Sequence, residues 1–262
     1  MEAILIYIAV GAFAGFVAGL LGVGGGLIIV PVLALLFQRH GVSGAVLMHL
    51  AIGTSLASII VTSLSSMRAH HARSAVLWDV FRRLTPGIVV GALAGAAIAD
   101  LMPTGALRVF FGVFELLVAA QIAFNVAAAP HRRLPGRVGM ARAGMVIGAV
   151  SAVVGIGGGT LTVPFLVWCN VAIRKAVATS SAVALPIAVA GALGFVTAGW
   201  NEAGLPDWSS GYVYWPALAA IAPASILLAP VGARFAHTIP TVTLSRIFAG
   251  FLALLGIRML MG

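Results

Sequence analysis

GVGGG occupies residues 22–26 and GIGGG occupies residues 155–159, and each glycine run lies between two apolar segments. A proline follows each run at the same distance, Pro31 in the first case and Pro164 in the second. Glycine in a helix interior costs about 1 kcal/mol relative to alanine and leaves the backbone without the cover of a side chain. The two runs therefore predict two places where a hydrophobic helix breaks and bares its main chain.

The composition places these runs in a membrane protein. Of 262 residues, 61% are hydrophobic and 8% are charged, and the mean hydropathy is +1.14. A soluble domain carries roughly 25% charged residues and needs a polar shell that this chain cannot supply. The net charge of +9 comes from short basic clusters between apolar runs, which is typical of cytoplasmic loops rather than of a nucleic-acid-binding surface. We therefore predict an all-α polytopic transmembrane protein that lies in a lipid bilayer and binds no nucleic acid.

The apolar runs occur twice in the same order. Residues 22–33 match residues 155–166, and residues 53–55 match residues 178–180 at a similar offset. Ordered matches of this kind indicate an internal duplication. In each copy the apolar run after the glycines is shorter than the roughly 20 residues that a full span needs. Each repeat is therefore predicted to contain a glycine-broken helical hairpin followed by about three spans.

Charge then sets the topology. The predicted units are a first repeat at residues 1–127, a basic cytoplasmic linker at residues 128–139 and a second repeat at residues 140–262. Two spans separate the linker from a basic loop at residues 67–83, so both lie in the cytoplasm. The loop at residues 199–211 carries two acids and no base and is placed outside. Counting spans from these loops puts both termini outside and inverts the second repeat relative to the first.

Inverted repeats are the common architecture of secondary transporters, whose substrate site lies near the bilayer midplane where broken helices meet. A helix that begins after a glycine run offers unpaired amides and the positive end of its dipole, which together form an anion site. Hydroxyl residues that recur in both halves supply further donors. The predicted substrate-binding residues are Gly22, Gly24, Gly25, Gly26, Thr54, Ser55, Gly157, Gly158, Gly159, Thr160, Thr179, Ser180 and Ser181.

Each of these predictions has a purely structural alternative. The glycines would serve equally for close helix packing, and membrane-helix hydroxyls often bond to their own backbone. The second break has hydroxyls in its first turn at Thr160 and Thr162, whereas the first break has Leu27 and Ile29 there. Any site between the two runs is therefore asymmetric, with the second run forming the more polar half.

Two titratable residues are candidates for proton coupling. Glu115 is an acid deep inside a predicted span, where an ionised group costs roughly 2.5 to 3.5 kcal/mol, and such residues are functional candidates. Gln121 and Asn125 share its helix and are candidate partners, and the alternative is a protonated helix–helix contact. His49 stands near the start of a span, where an interface role competes with proton relay.

The chain resembles the TauE/SafE family of sulfite and organosulfonate exporters. The resemblance covers nearly the full length and rests on Gly19 to Pro31, on Gly148 to Pro164 and on the Thr-Ser pairs that begin at Thr54 and Thr179. It implies a carrier in the inner, cytoplasmic membrane that moves sulfite or another small sulfur-containing anion outward. A coupling proton or sodium ion and a homo-oligomeric assembly are compatible with this resemblance.

The alternative function is an uncoupled anion channel or facilitator with a similar substrate range. A membrane-embedded enzyme is disfavoured, because no cluster of His and acidic residues has metal-ligand spacing and no nucleophile has a base nearby. We accordingly expect neither a metal nor another cofactor.

Overall fold

The computed structural model describes residues 2–21, 25–124, 132–235 and 241–261. Ten helices account for nearly all of this part of the chain, which confirms the predicted all-α class. The first five are α1 (Glu2–Leu21), α2 (Gly26–Arg39), α3 (Leu47–Ala72), α4 (Trp78–Asp100) and α5 (Thr104–Ala123). The second five are α6 (Arg137–Val154), α7 (Gly159–Trp168), α8 (Ile173–Ala198), α9 (Trp215–Phe235) and α10 (Thr241–Met261).

Five of the described helices, α3, α4, α5, α6 and α8, are long and apolar enough to cross a membrane. The chain is thus a polytopic membrane protein, as predicted. Helices extend beyond the apolar runs, because helical hydrogen bonding continues after hydrophobicity ends. α3 runs on to Ala72 past Arg68, and α4 begins at Trp78 before Arg82 and Arg83.

The segment between α8 and α9 forms a short antiparallel hairpin of β1 (Ser209–Ser210) and β2 (Val213–Tyr214). This β-hairpin lies at one end of the helix bundle, where the hydroxyl of Tyr212 donates to Asp100 Oδ1 at 3.1 Å. At the same end the hydroxyl of Thr104 donates to the carbonyl oxygen of Ala45 at 2.6 Å. We call this end the hairpin face; it comprises the connections at residues 40–46, 101–103 and 199–214.

The opposite end of the bundle is the arginine face, which comprises the connections at residues 73–77, 132–136 and 169–172. Here the N–H of Leu77 donates to Thr179 Oγ1 at 3.0 Å, and the N–H of Arg132 donates to the carbonyl oxygen of Trp168 at 3.2 Å. The guanidinium of Arg132 also stacks over the Trp168 ring, 5.0 Å from its centroid. Most of the basic residues in the described part of the chain lie at this face: Arg68, Arg73, Arg82, Arg83, Arg132, Arg133, Arg137, Arg142, Arg174 and Lys175.

α2 and α7 are too short to span a bilayer. α2 has 14 residues and α7 has 10, so they extend about 21 Å and about 15 Å against a hydrocarbon thickness of about 30 Å. α2 ends at the hairpin face, where Arg108 Nη2 donates to Gln38 Oε1 at 3.2 Å. α7 ends at the arginine face, at Trp168. The two half-helices therefore come in from opposite faces, and their N-termini point into the bundle.

Small residues bring the long helices together. α1 packs on α9, where the hydroxyl of Ser225 donates to the carbonyl oxygen of Gly11 at 2.8 Å. α4 also packs closely on α6. Gly91 lies against the main chain of Met145, and Gly148 lies against the main chain of Ile88. Close backbone approach through small residues is the usual way in which membrane helices associate.

Candidate functional site

The structure brings the two glycine runs into direct contact. A Cβ atom placed on Gly26 would lie 2.6 Å from the carbonyl oxygen of Gly155 and 3.0 Å from Ile156 Cα. Main chain therefore touches main chain, which only glycine allows at this position. Gly22 and Gly24, both predicted site residues, lie outside the described residues. Gly25 lies immediately before α2 and has looser surroundings, with Ile29 Cδ1 3.3 Å from its hypothetical Cβ.

The second break depends on two left-handed glycines. Gly155 ends α6 with φ +78°, and its N–H donates to the carbonyl oxygen of Ser151 at 2.9 Å. Gly158 begins α7 with φ +73°. Glycine adopts such φ values without steric cost. These two glycines therefore allow α6 to end at Val154 and α7 to begin at Gly159. The amides of Gly159 and Thr160 open α7 and have no partner within the helix.

α3 and α8 hold the second break from either side. The hydroxyl of Ser55 on α3 donates to the carbonyl oxygen of Gly155 at 2.8 Å. A Cβ atom on Gly157 would lie 3.1 Å from Ala184 Cβ on α8 and 3.3 Å from Ile59 Cγ2 on α3. Ser55 is thus a predicted site residue that directly fixes a glycine run.

The predicted threonines have a different role in this structure. Thr54 Oγ1 accepts the N–H of Tyr214 at 3.0 Å, and Thr179 Oγ1 accepts the N–H of Leu77 at 3.0 Å. Thr54 thereby anchors the segment that leads into α9, and Thr179 anchors the segment that leads into α4. The hydroxyl of Ser181 donates to its own helix at Val177, 3.1 Å away, as the structural alternative expects, and Ser180 is buried on α8.

Thr54→Val and Thr179→Val are expected to lower the thermal unfolding midpoint by several degrees without changing the KM for transported anion. Each variant leaves a partly buried main-chain N–H without its acceptor, which costs about 1 kcal/mol or more. Thr197→Val is the control at an exposed site, because the Thr197 hydroxyl donates to Leu193 and Gly194 of its own helix. Unchanged stability together with a raised KM would instead make the threonines substrate contacts.

Three hydroxyls near the second break are buried without a partner among the described residues: Ser151 Oγ, Thr160 Oγ1 and Thr162 Oγ1. Ser151 was not among the predicted site residues. Its only sequence signal is its position in the last turn of a helix that ends at a glycine run, and the first repeat has Ala18 at the corresponding place. The groups that open this break are therefore main-chain amides and neutral hydroxyls, which suit an anion.

Glu115 is completely buried on α5, and neither of its carboxyl oxygens has a hydrogen-bond partner among the described residues. Gln121, a predicted partner, makes no hydrogen bond to it, and Asn125 lies outside the described residues. α5 packs on α10, where a Cβ atom on Gly112 would lie 2.9 Å from the carbonyl oxygen of Gly256. The carboxyl is thus buried near the middle of its helix.

His49 lies at the hairpin face. Its Nε2 is 3.0 Å from the carbonyl oxygen of Ala99, and its ring stacks on Tyr212 with centroids 5.0 Å apart. Burial, with the carboxylate of Asp100 adding to it, raises the pKa of Tyr212, which keeps this phenol a donor to Asp100. These contacts join α3 to the end of α4 and the β-hairpin, which fits the interface role considered for His49.

Comparisons with known proteins agree with this architecture. The model of the family "Sulfite exporter TauE/SafE" matches residues 7–259. A probable membrane transporter protein of Haemophilus influenzae is 33% identical over 261 residues, covering 98% of this chain and 97% of that protein. Probable membrane transporter proteins of Bacillus subtilis and Methanocaldococcus jannaschii are 28% and 27% identical, each over 98% of this chain and 97% and 95% of their own lengths. No solved structure matches. The family model matches almost the whole length of this membrane protein with its two helix breaks at glycine runs. The chain therefore belongs to the sulfite exporter TauE/SafE family.

Proposed function

We propose that this protein is a secondary transporter that exports sulfite or a small organosulfonate across the cytoplasmic membrane. The anion binds between the opposed helix breaks, beside the junction of Gly26 with Gly155. One observation carries the proposal: two half-helices come in from opposite faces, and the N-terminus of α2 meets Gly155 and Ile156, just before α7 begins. Each N-terminus bears roughly half a positive charge, so the pair attracts an anion without a buried lysine or arginine.

Partial charges suit a carrier better than a full ion pair. A transported anion must leave the site as readily as it enters, and a buried arginine would hold it strongly. Sulfite and sulfonate oxygens each accept several hydrogen bonds, so amides and hydroxyls satisfy them together. The family name supports sulfur oxyanions as the substrate class.

The two predicted repeats, residues 1–127 and 140–262, move against each other in this proposal. Their internal correspondence is supported by contacts that occur twice. α1 packs on α9 as α6 packs on α4, and Thr54 accepts the N–H of Tyr214 as Thr179 accepts the N–H of Leu77. Each repeat thus contacts the other through equivalent helices and hydrogen bonds. This arrangement is expected of a carrier whose two repeats move against each other during alternating access.

The arginine face is proposed to be cytoplasmic, and the hairpin face together with both termini to be external. The concentration of basic side chains at the arginine face supports this, because cytoplasmic connections carry an excess of arginine and lysine. Export then begins at the arginine face, where the same positive charge draws anions to the inner mouth.

Flux through proteoliposomes tests the proposal. Vesicles that contain the purified protein and are loaded with sulfite are expected to release it far faster than protein-free vesicles. Thiosulfate, taurine, sulfoacetate and sulfolactate extend the panel. Flux that follows an imposed pH gradient supports coupling, and flux that ignores every ion gradient supports the uncoupled facilitator instead. An absence of flux for the entire panel would contradict the proposal.

A further inference from the structure

We propose that Ser151, Thr162 and the opening amides of α7 form a head-group subsite that selects an SO3 group over a carboxylate. This inference rests on the proposed function and assigns the polar end of the substrate to one repeat. It also adds a specificity-determining residue, Ser151, to the site.

The first evidence is the hydrogen-bonding state of the buried hydroxyls. Serines and threonines within membrane helices normally donate to a carbonyl of their own or a neighbouring helix. Ser55, Ser58, Ser63 and Ser225 do so here. Ser151 and Thr162 are both fully buried, with no partner among the described residues. A buried hydroxyl without a partner costs about 1 to 3 kcal/mol, and a ligand that accepts a hydrogen bond from it recovers this cost.

The second evidence is where the Ser151 hydroxyl lies. Ser151 Oγ is 3.2 Å from the position that a Cβ atom on Gly158 would take, so it faces the residue that opens α7. Thr162 follows Gly158 by four residues and therefore lies on the same side of α7, one turn along. Thr160 lies two residues from Thr162, projects from another side and is not assigned to this subsite.

The subsite therefore combines two independent features. The N–H groups of Gly159 and Thr160 point out of the helix terminus with its positive dipole end. The Ser151 hydroxyl faces that terminus, the Thr162 hydroxyl lies on the same side of α7 one turn along, and neither has a hydrogen-bond partner among the described residues. All four groups donate to the anion, and no charged side chain is needed.

The first break lacks these donors. The positions that correspond to Ser151, Thr160 and Thr162, each 133 residues earlier, hold Ala18, Leu27 and Ile29. Leu27 and Ile29 are buried in the apolar core. The anion head therefore binds at the second break, and any organic part of the substrate points toward the apolar first break.

The geometry of the donors favours a three-oxygen head. An SO3 group directs acceptor lone pairs around its axis, so that donors on several sides of a helix terminus are satisfied together. A carboxylate has its acceptor lone pairs in one plane, so donors that lie on several sides of the helix terminus cannot all align with them. Each unsatisfied buried donor near a charged ligand lowers affinity by about tenfold or more.

Methanesulfonate and acetate are the probes, because they share a methyl group and a single negative charge and differ in the head. Binding to the purified full-length protein, measured by calorimetric titration at pH 7.5, is expected to favour methanesulfonate by at least about tenfold. Ser151→Ala and Thr162→Val are each expected to weaken methanesulfonate binding by about tenfold, to change acetate binding less, and so to narrow this preference.

Ser63→Ala is the matched control, because Ser63 is a buried membrane-helix serine whose hydroxyl donates to Ile60 of its own helix at 3.1 Å. This variant is expected to bind both probes as the wild type does. Equal affinity of the wild type for the two probes, or wild-type methanesulfonate affinity in a folded Ser151→Ala variant, would overturn the subsite. If the wild type still exports sulfite in that case, only the subsite fails; if it exports no sulfur oxyanion, the proposed function fails with it.

Discussion

Gly158→Leu is expected to lower sulfite flux at least a hundredfold while the protein remains inserted in the membrane. Gly158 has φ +73°, a left-handed conformation that costs any other residue about 1 to 2 kcal/mol. A side chain there would also meet Ile187 and fill the space that faces Ser151 Oγ. The anion would lose its approach to the amides that open α7.

Two milder substitutions test whether the access of the anion to the helix breaks can be blocked without unfolding the protein. Gly25→Leu at the first break meets only flexible or distant atoms, Ile29 Cδ1 at 3.3 Å and Ala14 Cβ at 3.7 Å. Gly157→Ala at the second break requires shifts of a few tenths of an ångström against Ala184 and Ile59. Both variants are expected to fold, with Gly25→Leu losing most of its flux and Gly157→Ala about tenfold.

Gly105→Leu is the control for inserting a leucine into a membrane helix, because a Cβ atom on Gly105 meets nothing within 4 Å. Size-exclusion chromatography and thermal unfolding of each variant establish its integrity before flux is measured. A monodisperse Gly25→Leu or Gly158→Leu protein that carries sulfite at the normal rate would show that the glycine runs serve only for packing.

Much of the architecture could be predicted from the sequence because membrane insertion leaves a strong imprint on it. Apolar runs of about 20 residues must be helical, since hydrocarbon offers no other partner for backbone groups. The same constraint made the short runs after the glycines recognisable as incomplete spans, and α2 and α7 are indeed half-helices. The repeated glycine pattern also indicated that these breaks belong together, and the structure brings Gly26 against Gly155.

The roles of individual hydroxyls could not be predicted in this way. Thr54 accepts a hydrogen bond from Tyr214, 160 residues away, and Thr179 accepts one from Leu77, 102 residues away. No local pattern specifies such partners, because they depend on how complete helices pack. A repeated Thr-Ser pair is equally consistent with a duplicated ligand and with a duplicated structural anchor, and the structure favours the anchor for the threonines.

Ser151 was missed for the opposite reason. Most of the predicted site residues recur in both halves, and a polar side chain that is present in one repeat alone shows no such recurrence. Ala18 in the first repeat removes the signal. The sequence predicted that the second break is the more polar one, but the orientation of Ser151 toward Gly158 is known only from the packed structure.

Glu115→Gln is expected to abolish acceleration of sulfite flux by a pH gradient while leaving sulfite exchange at equal pH near the wild-type rate. Glu115 lies 11 residues after the start of α5, about 16 Å into a helix of about 30 Å, and thus at the depth of the bilayer centre. Glutamine keeps the size and polarity of the protonated acid but cannot release a proton.

In these surroundings we expect the Glu115 carboxyl to bind a proton. Both carboxyl oxygens lack a hydrogen-bond partner among the described residues, and Arg246 and Arg258 of the adjacent α10 are exposed on that helix. An ionised carboxylate in such a place is costly, whereas its protonated form is tolerated. A conformational change that admits water to one face and then the other would load and unload this proton together with the anion.

Asp79→Asn provides the control, because Asp79 is an exposed acid at the arginine face whose carboxylate forms an ion pair with Arg83 at 2.7 Å. Its flux is expected to respond to the pH gradient as that of the wild type does. Proton movement, followed with a pH-sensitive dye inside the vesicles, should accompany sulfite in the wild type and disappear in Glu115→Gln. If both proteins instead show the same gradient response, Glu115 is a protonated contact between α5 and its neighbours, and coupling resides elsewhere or the protein is an uncoupled facilitator.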